Sequence, residues 1–219
     1  MKIAVLGTGM VGNALATKLV NIGHEIMIGS RSANSDAGQE WLRSVGGKAQ
    51  IGTFADAAAF GETVFDCTNG ANSIAALRSA GAKNLRGKIL IQVGNPLDTS
   101  KGMPPTLTVC NTDSLGEQVQ REFPEVRVVK ALNTVNCEIM IAPSRLPGDH
   151  ELFICGNDAT AKREVAKCLS EWFDWKPGNI IDLGDITRSR GTEMFLALWV
   201  RLWGVVGNPH FNIHVVRGK

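Results

Sequence analysis

Three glycines, Gly7, Gly9 and Gly12, stand in the order G-x-G-x-x-G between an apolar run, KIAVL, and a helix-like stretch, VGNALATKLVNIG. Glycine at the first position permits a tight turn, and at the second it lets the backbone approach a pyrophosphate. The third lets a helix pack closely on the strand before it. A helix that starts there turns unpaired N–H groups and about half a positive charge toward an anion. With Thr8, Met10 and Val11 filling the loop, residues 7–12 read as a cradle for the phosphates of a dinucleotide.

The next apolar run, HEIMIG, ends where an acidic residue would normally hydrogen-bond the adenosine ribose. Here the residues are Ser30, Arg31 and Ser32, and the first acid is Asp36. A carboxylate at that corner repels a 2′-phosphate, whereas a guanidinium meets phosphate oxygens through two parallel charge-assisted bonds. Ser35 adds one more hydroxyl. The expected cofactor is NADP(H) rather than NAD(H).

Three further segments pair asparagine with small residues: CTNGANS, VGNPLD and ALNTVN. They supply Cys67, Thr68, Asn69 and Gly70, then Gly94, Asn95 and Pro96, then Ala131, Asn133 and Thr134. Asparagine both donates to and accepts from a carboxamide or a ribose without adding charge. One such loop is as readily an Asx-turn that only closes the chain. Three at successive strand ends favour a cofactor groove, with Asn133 and Thr134 orienting the nicotinamide and neither acting as a general acid. No catalytic residue is assigned beyond that orienting role of Asn133.

These loops need a scaffold, and the chain provides one. Strand-like KIAVLG, HEIMIG, KAQIG, ETVFDCT, KILIQVG and VRVVKAL alternate with helix-like segments. In the first helix Val11, Leu15 and Leu19 recur at four-residue spacing, and Gly23 ends it. GQEWLRSVGG reads as a second, short helix. Such alternation implies right-handed βαβ units, hence an α/β fold of Rossmann type. The expected architecture is a doubly wound, mostly parallel sheet with a small C-terminal helical part. Residues 1–142 form the NADP-binding unit in this reading, and residues 143–219 an extension whose strands either extend the sheet or form a small domain.

In that extension SRLPGDH reads as a loop, ELFICG and NIIDLG as strands, and DATAKREVAKCLSEWF as a helix. The last helix, from about Ile186, carries Met194, Leu198 and Leu202 on one stripe and Phe195, Trp199 and Trp203 on the next. Leu196 and Val200 widen the apolar surface, with Glu193 and Arg201 as charged breaks. The helix is expected to be buried on most sides by core packing and a subunit interface, which makes a homodimer the expected assembly. A sharper alternative has Trp199 or Trp203 walling a pocket for a second planar ring.

Composition excludes several classes. Of 219 residues, 44% are hydrophobic and 20% charged, and the formal net charge is +2, which offers nucleic acid or an anionic membrane no basic footprint. The last helix is too short and interrupted to span a bilayer, which needs about 20 apolar residues. The five cysteines, Cys67, Cys110, Cys137, Cys155 and Cys168, form no C-x-x-C pair, so free thiols in a reducing cytoplasm are expected, and the N-terminus carries no export-signal pattern. His210 and His214 have metal-ligand spacing for a helix, yet Pro209 precedes them, and no metal is expected.

With these motifs placed, the chain resembles the NADP oxidoreductase, coenzyme deazaflavin-dependent family. It is also similar to the cytosolic oxidoreductase domain of the six-transmembrane metalloreductases. The resemblance covers nearly the whole sequence and rests on GTGMVG, GSRS, VVKALNTV, FICGNDATAK and IDLGDITRSRGTEMFLALWVRLW, the last three being the most specific. It implies NADP on the glycine loop and on Ser30 and Arg31, with nicotinamide near Asn69, Asn95 and Asn133. It further implies hydride exchange with 8-hydroxy-5-deazaflavin. Asn133 stands where deazaflavin-reducing members can carry His, which leaves a flavin or another small-molecule electron acceptor open. Hydride transfer between stacked rings needs alignment more than a side-chain acid, and a chain with no Tyr has no Tyr–Lys pair to offer. A non-catalytic NADP(H) sensor is the rival reading. An imine-type reductase is the third, and it requires a longer helical domain than this tail.

Overall fold

The computed structural model describes residues 1–218. The first half of the chain alternates β1 (Lys2–Leu6), α1 (Met10–Asn21), β2 (Glu25–Ser30), α2 (Asp36–Val45), β3 (Ala49–Thr53) and α3 (Phe54–Phe60). It continues through β4 (Thr63–Asp66), α4 (Gly70–Ala80), α5 (Ala82–Leu85), β5 (Ile89–Gln92) and the short hairpin β6 (Leu97–Asp98) and β7 (Thr106–Leu107). Then come α6 (Leu115–Glu122), β8 (Arg127–Lys130), α7 (Cys137–Ile141), β9 (Leu152–Ile154), α8 (Ala159–Phe173), β10 (Ile180–Asp182) and α9 (Ser189–Val206).

Six strands form one parallel sheet in the order β3-β2-β1-β4-β5-β8. Strand order reverses beside β1, and in open parallel sheets ligands bind in the crevice beyond the strand ends at that point. Side chains alternate across the sheet. Ile3, Val5, Ile26, Ile28, Ile89, Ile91 and Val129 face a core shared with α1 and α8, where Leu15, Leu19, Val165, Leu169 and Phe173 are buried. Ala4, Leu6, Val64, Leu90 and Val128 face the opposite core, against Ala57 and Ala58 of α3, Leu77 of α4 and Val119 of α6. Strands covered on both faces read as unbroken apolar runs, which is why they are conspicuous in the sequence. The tail's β9 and β10 pair with each other in parallel, and a single antiparallel bridge, Lys130 with Cys155, joins them to β8.

The helices α3, α4 and α6 lie where the sequence reading places none. Each has a local cause. Thr53 and Asp56 make a reciprocal capping box before the alanine-rich FADAAAF. Asn69 caps α4 through Ala71 N, and Ser114 caps α6 through Glu117 N.

The last helix is only partly covered within a single chain. Leu196 and Trp199 are buried, but Met194 is 40% exposed, Leu198 53% and Trp203 40%. Within the single chain the buried face of this helix carries Ser189, Thr192, Glu193, Leu196 and Trp199, and the stripe with Met194 and Leu198 is left open. Glu193, expected as a charged break, is 1% exposed. His210 and His214 lie in an irregular return segment and not on a helix. Among the described residues no helix is long and apolar enough to cross a membrane, and no cluster of His, Cys, Asp or Glu is arranged for a metal.

Candidate functional site

The glycine turn leaves β1 with Gly7 at φ +115, a conformation that side chains rarely adopt. A Cβ on Gly12 would lie 2.1 Å from Gly7 O, so the third glycine is what lets α1 close against the turn. At Gly9 the same atom would meet nothing within 4 Å. The middle glycine therefore faces open space, as a backbone approached by a ligand should. Side-chain oxygens cap α2, α3, α4, α6, α7 and α8, whereas no side chain caps α5, α9 or the helix that follows the glycine turn, α1. That N-terminus is left for an anion.

At the carboxyl end of β2, Ser30 is nearly buried, and its Oγ lies 2.6 Å from Ser32 O and 3.1 Å from Ser35 Oγ. Ser35 itself accepts from Gly38 N as the cap of α2, so its oxygen is already engaged. Arg31 is exposed and makes no salt bridge among the described residues.

Beyond the ends of β1, β4, β5 and β8 lies a crevice of about 490 Å³. Gly9, Met10 and Val11 line it, with Cys67, Thr68, Asn69 and Gly70, Gly94 and Asn95, and Asn133 and Thr134. Sequence reasoning named all of these. Pro96 and Ala131 are buried and do not line it. The rest of the wall is mostly apolar: Asn136 and Cys137 stand beside Val135, and Met140, Leu196, Trp199, Trp203 and Pro209 come from farther along the chain. Trp199 and Trp203 thus stand at a pocket, as the sharper of the two readings has it. Met140 carried no signal in the sequence, since an apolar wall residue is indistinguishable there from core, whereas Leu196 belongs to the apolar surface read on the last helix and Pro209 to the return segment that the sequence reading offers as part of the substrate pocket.

Each loop is held by its own bonds. Buried Asp66 accepts from Thr68 Oγ1 at 2.6 Å and from Ser73 Oγ, and Gln92 Nε2 lies 3.4 Å away. The Cys67–Asn69 turn is fixed from beneath. Gly70 has no room for a side chain, since a Cβ would sit 2.0 Å from Asn95 O. Asn133 Nδ2 donates to Asn95 Oδ1 at 2.9 Å and to Thr192 O at 3.1 Å, and Asn95 Nδ2 donates to Asn133 O at 2.8 Å. Two acceptors on its nitrogen settle which end of the Asn133 amide points where. The preceding Leu132 has φ +66, an uncommon conformation for a branched side chain, and it delivers Asn133 into the crevice.

Three buried polar atoms on this wall have no hydrogen-bond partner: Asn133 Oδ1, Thr134 Oγ1 and Trp199 Nε1. The contrast with other indoles is instructive. Trp41 Nε1 donates to Thr17 Oγ1 and Trp175 Nε1 to Met140 O, each at 3.0 Å. A buried donor or acceptor without a partner costs about 1–3 kcal/mol, so native structures leave few of them; three of the five among the described residues gather on this wall, the others being Asn13 Oδ1 and Asn212 Oδ1. The return segment backs the wall: Phe211 stacks on Trp199 with centroids 5.1 Å apart and planes at 24°. It is held by buried Glu151, which accepts from Val215 N at 2.8 Å and contacts His214 Nδ1 at 2.9 Å.

No lining residue is Asp, Glu, His, Lys or Arg. Two thiols line the crevice: burial followed by the charge of Asp66 pushes Cys67 well above the usual range, and burial followed by the charge of Glu138 raises Cys137. The crevice is built to orient and desolvate rather than to exchange protons. An open parallel sheet with a glycine turn at its switch point and an uncharged, largely apolar slot beside it is the frame of an NADP-linked oxidoreductase of the Rossmann class.

Comparison with known proteins narrows that class. The chain belongs to the family described as NADP oxidoreductase, coenzyme F420-dependent, whose profile matches residues 2–96. It is 32% identical over 211 residues to the F420-dependent NADP reductase of Methanocaldococcus jannaschii, covering 92% of each chain. A crystal structure from Arthrobacter sp. FB24, provisionally assigned as an F420-dependent NADP-reductase, is 52% identical with a TM-score of 0.93, covering 99% of this chain and 100% of that one. Metalloreductase STEAP3 of Rattus norvegicus is 28% identical over 206 residues, which is 93% of this chain and 38% of that protein.

Proposed function

We propose that the protein passes hydride between NADP(H) and a planar redox acceptor such as a deazaflavin or flavin, the deazaflavin coenzyme F420 being the acceptor class best supported. The family description and the names of two relatives support that acceptor. The observation that carries the reading is the set of three unpartnered polar atoms in one neutral, aromatic-walled crevice.

The residues divide the task. The Gly7–Gly12 turn and the open N-terminus of α1 hold the pyrophosphate. Ser30, Arg31 and Ser32 receive the 2′-phosphate, with Ser35 bracing Ser30 from behind. NADPH, when bound, supplies the hydride. Asn133 Oδ1, whose amide nitrogen is already committed, accepts from the nicotinamide carboxamide, and Thr134 Oγ1 completes that grip. Asn69, Asn95 and the backbone at Gly70 and Gly94 border the ribose side. Trp199, Trp203 and Leu196 press a second ring toward the first and exclude water, and the Trp199 N–H fits a ring carbonyl. Because no lining side chain is an acid of ordinary pKa, the proton that accompanies reduction of the acceptor comes from solvent.

Residues 1–142 serve as the cofactor unit in this scheme, and residues 143–219 supply the acceptor wall. The exposed Met194, Leu198 and Val206 on α9 support a homodimer, and the five free thiols fit a cytoplasmic setting. The decisive assay mixes the purified protein with NADPH and oxidised F420, FMN, FAD, a quinone or a ferric chelate, and follows nicotinamide absorbance. Turnover with F420 or another planar ring is expected. Tight NADPH binding without turnover across the panel would replace the enzyme with a redox sensor.

A further inference from the structure

The sequence stretches VVKALNTV and IDLGDITRSRGTEMFLALWVRLW contain charged residues that the site above does not use, Lys130 in the first and Glu193 among those in the second. The structure brings the two together. Lys130, the last residue of β8, and Glu193, in the second turn of α9, form an ion pair at 2.9 Å with side chains 0% and 1% exposed. The Lys130 ammonium also reaches Gln92 Oε1 and Gly94 O, each at 2.5 Å. The Glu193 carboxylate accepts from Leu115 N at 2.8 Å and Gly116 N at 3.0 Å, the first turn of α6. Every ammonium proton and both carboxylate oxygens are engaged.

Such a pair contributes little to stability by itself, because desolvation offsets most of its attraction and an apolar pair of equal volume often serves as well. What it does supply is a fixed direction. We propose that Lys130 and Glu193 are positioning residues that aim α9, and with it the aromatic wall, at the cofactor floor. The proposal rests on the reading of the crevice as the site where two rings meet. Glu193, Leu196, Trp199 and Trp203 follow at spacings of three, three and four, so anchor and wall share one face of the helix. At about 1.5 Å per residue, Trp203 lies about 15 Å from the anchor, and a tilt of about 10° there carries it about 2.6 Å. Hydride transfer requires reacting atoms about 3–3.5 Å apart, so that displacement is decisive. The start of α9 is held separately, by Ser114 Oγ to Ser189 Oγ at 2.7 Å and by Arg190 to Glu117 at 2.6 Å. Loss of the Glu193 contact leaves the helix docked at its base and takes away its buried charged anchor, so that its direction rests on the weaker Asn133–Thr192 bond and on the stacking of Trp199 against Phe211.

Two variants test this. Glu193→Asp keeps the charge and shortens the reach; the double variant Lys130→Met with Glu193→Met removes both charges without leaving either buried alone. Arg190→Ala serves as the comparator that loosens the same helix at its base. For Glu193→Asp the NADPH dissociation constant stays within about threefold of the parent. With oxidised F420 as the probe, KM rises and kcat falls, each by about tenfold or more, and amides of residues 194–206 exchange faster in both aiming variants. Arg190→Ala lowers the melting temperature and leaves kcat and KM near the parent values. Exchange in residues 194–206 and the kinetics both unchanged in the variants, or a lower melting temperature with parental kinetics, overturns the proposal. If the parent itself fails to reduce F420, the acceptor assignment falls, while amide exchange in residues 194–206 still decides whether the pair aims the helix.

Discussion

Arg31→Ala isolates the contact that separates the two nicotinamide cofactors. The side chain is exposed and has no ionic partner among the described residues, so its removal breaks no native interaction. Folding stability should shift by no more than about 0.5 kcal/mol. Hydrogen bonds to charged groups contribute about 1.5–3 kcal/mol, which is about ten- to a hundredfold in affinity. Solvent screening at an exposed corner favours the lower end, about ten- to thirtyfold near physiological salt. NADH lacks the phosphate and should bind the variant within about twofold of the parent. Fluorescence titrations of both cofactors, at about 0.02 M and about 0.5 M salt, measure all of this, and the parent's preference for NADPH should shrink at the higher salt. Arg31→Lys should recover part of the loss, since it restores the charge but not the two-pronged geometry. An equal loss for NADH, or no loss for NADPH, refutes the assignment.

Asn133→Leu keeps the volume but withdraws the donor from Asn95 Oδ1 and Thr192 O; each abandoned acceptor should cost about 1–3 kcal/mol in chemical denaturation, and NADPH turnover should fall more than NADPH binding. A denaturation midpoint like the parent's would mean that the amide is not the hub described. The thiols should divide by burial. Desolvation pushes Cys155 up to about 12 and Cys168 to about 11, whereas Cys110 is exposed. Alkylation near neutral pH, mapped by mass spectrometry, should label Cys110 first and reach Cys155 only on unfolding.

Much of this protein is written locally. The six strands of the sheet are continuous apolar runs because both of their faces are covered, and that needs no knowledge of the partner strands. The glycine turn is equally explicit, since Gly7 and Gly12 answer steric demands imposed within a single β-turn-α unit. The absence of acid after β2 and the three asparagine loops pointed to the cofactor side of the crevice for the same reason: each is a short segment with a chemistry of its own. The short helices α3, α4 and α6 were less legible, because their apolar faces are too brief to show a period and their caps are the only mark.

The acceptor side depended on tertiary structure. Leu196, Trp199 and Trp203 share a helix with Met194 and Leu198, and side-chain type alone does not tell which stripe meets the crevice and which meets solvent. Lys130 and Glu193 lie 63 residues apart in sequence, and nothing near either one announces a buried pair. The unpartnered atoms of Asn133, Thr134 and Trp199 are defined only by what surrounds them. Propensity and turn chemistry act over a few residues and can be read along the chain; burial and partnership are set by which distant segments the sheet brings together, and the sequence does not contain them one residue at a time.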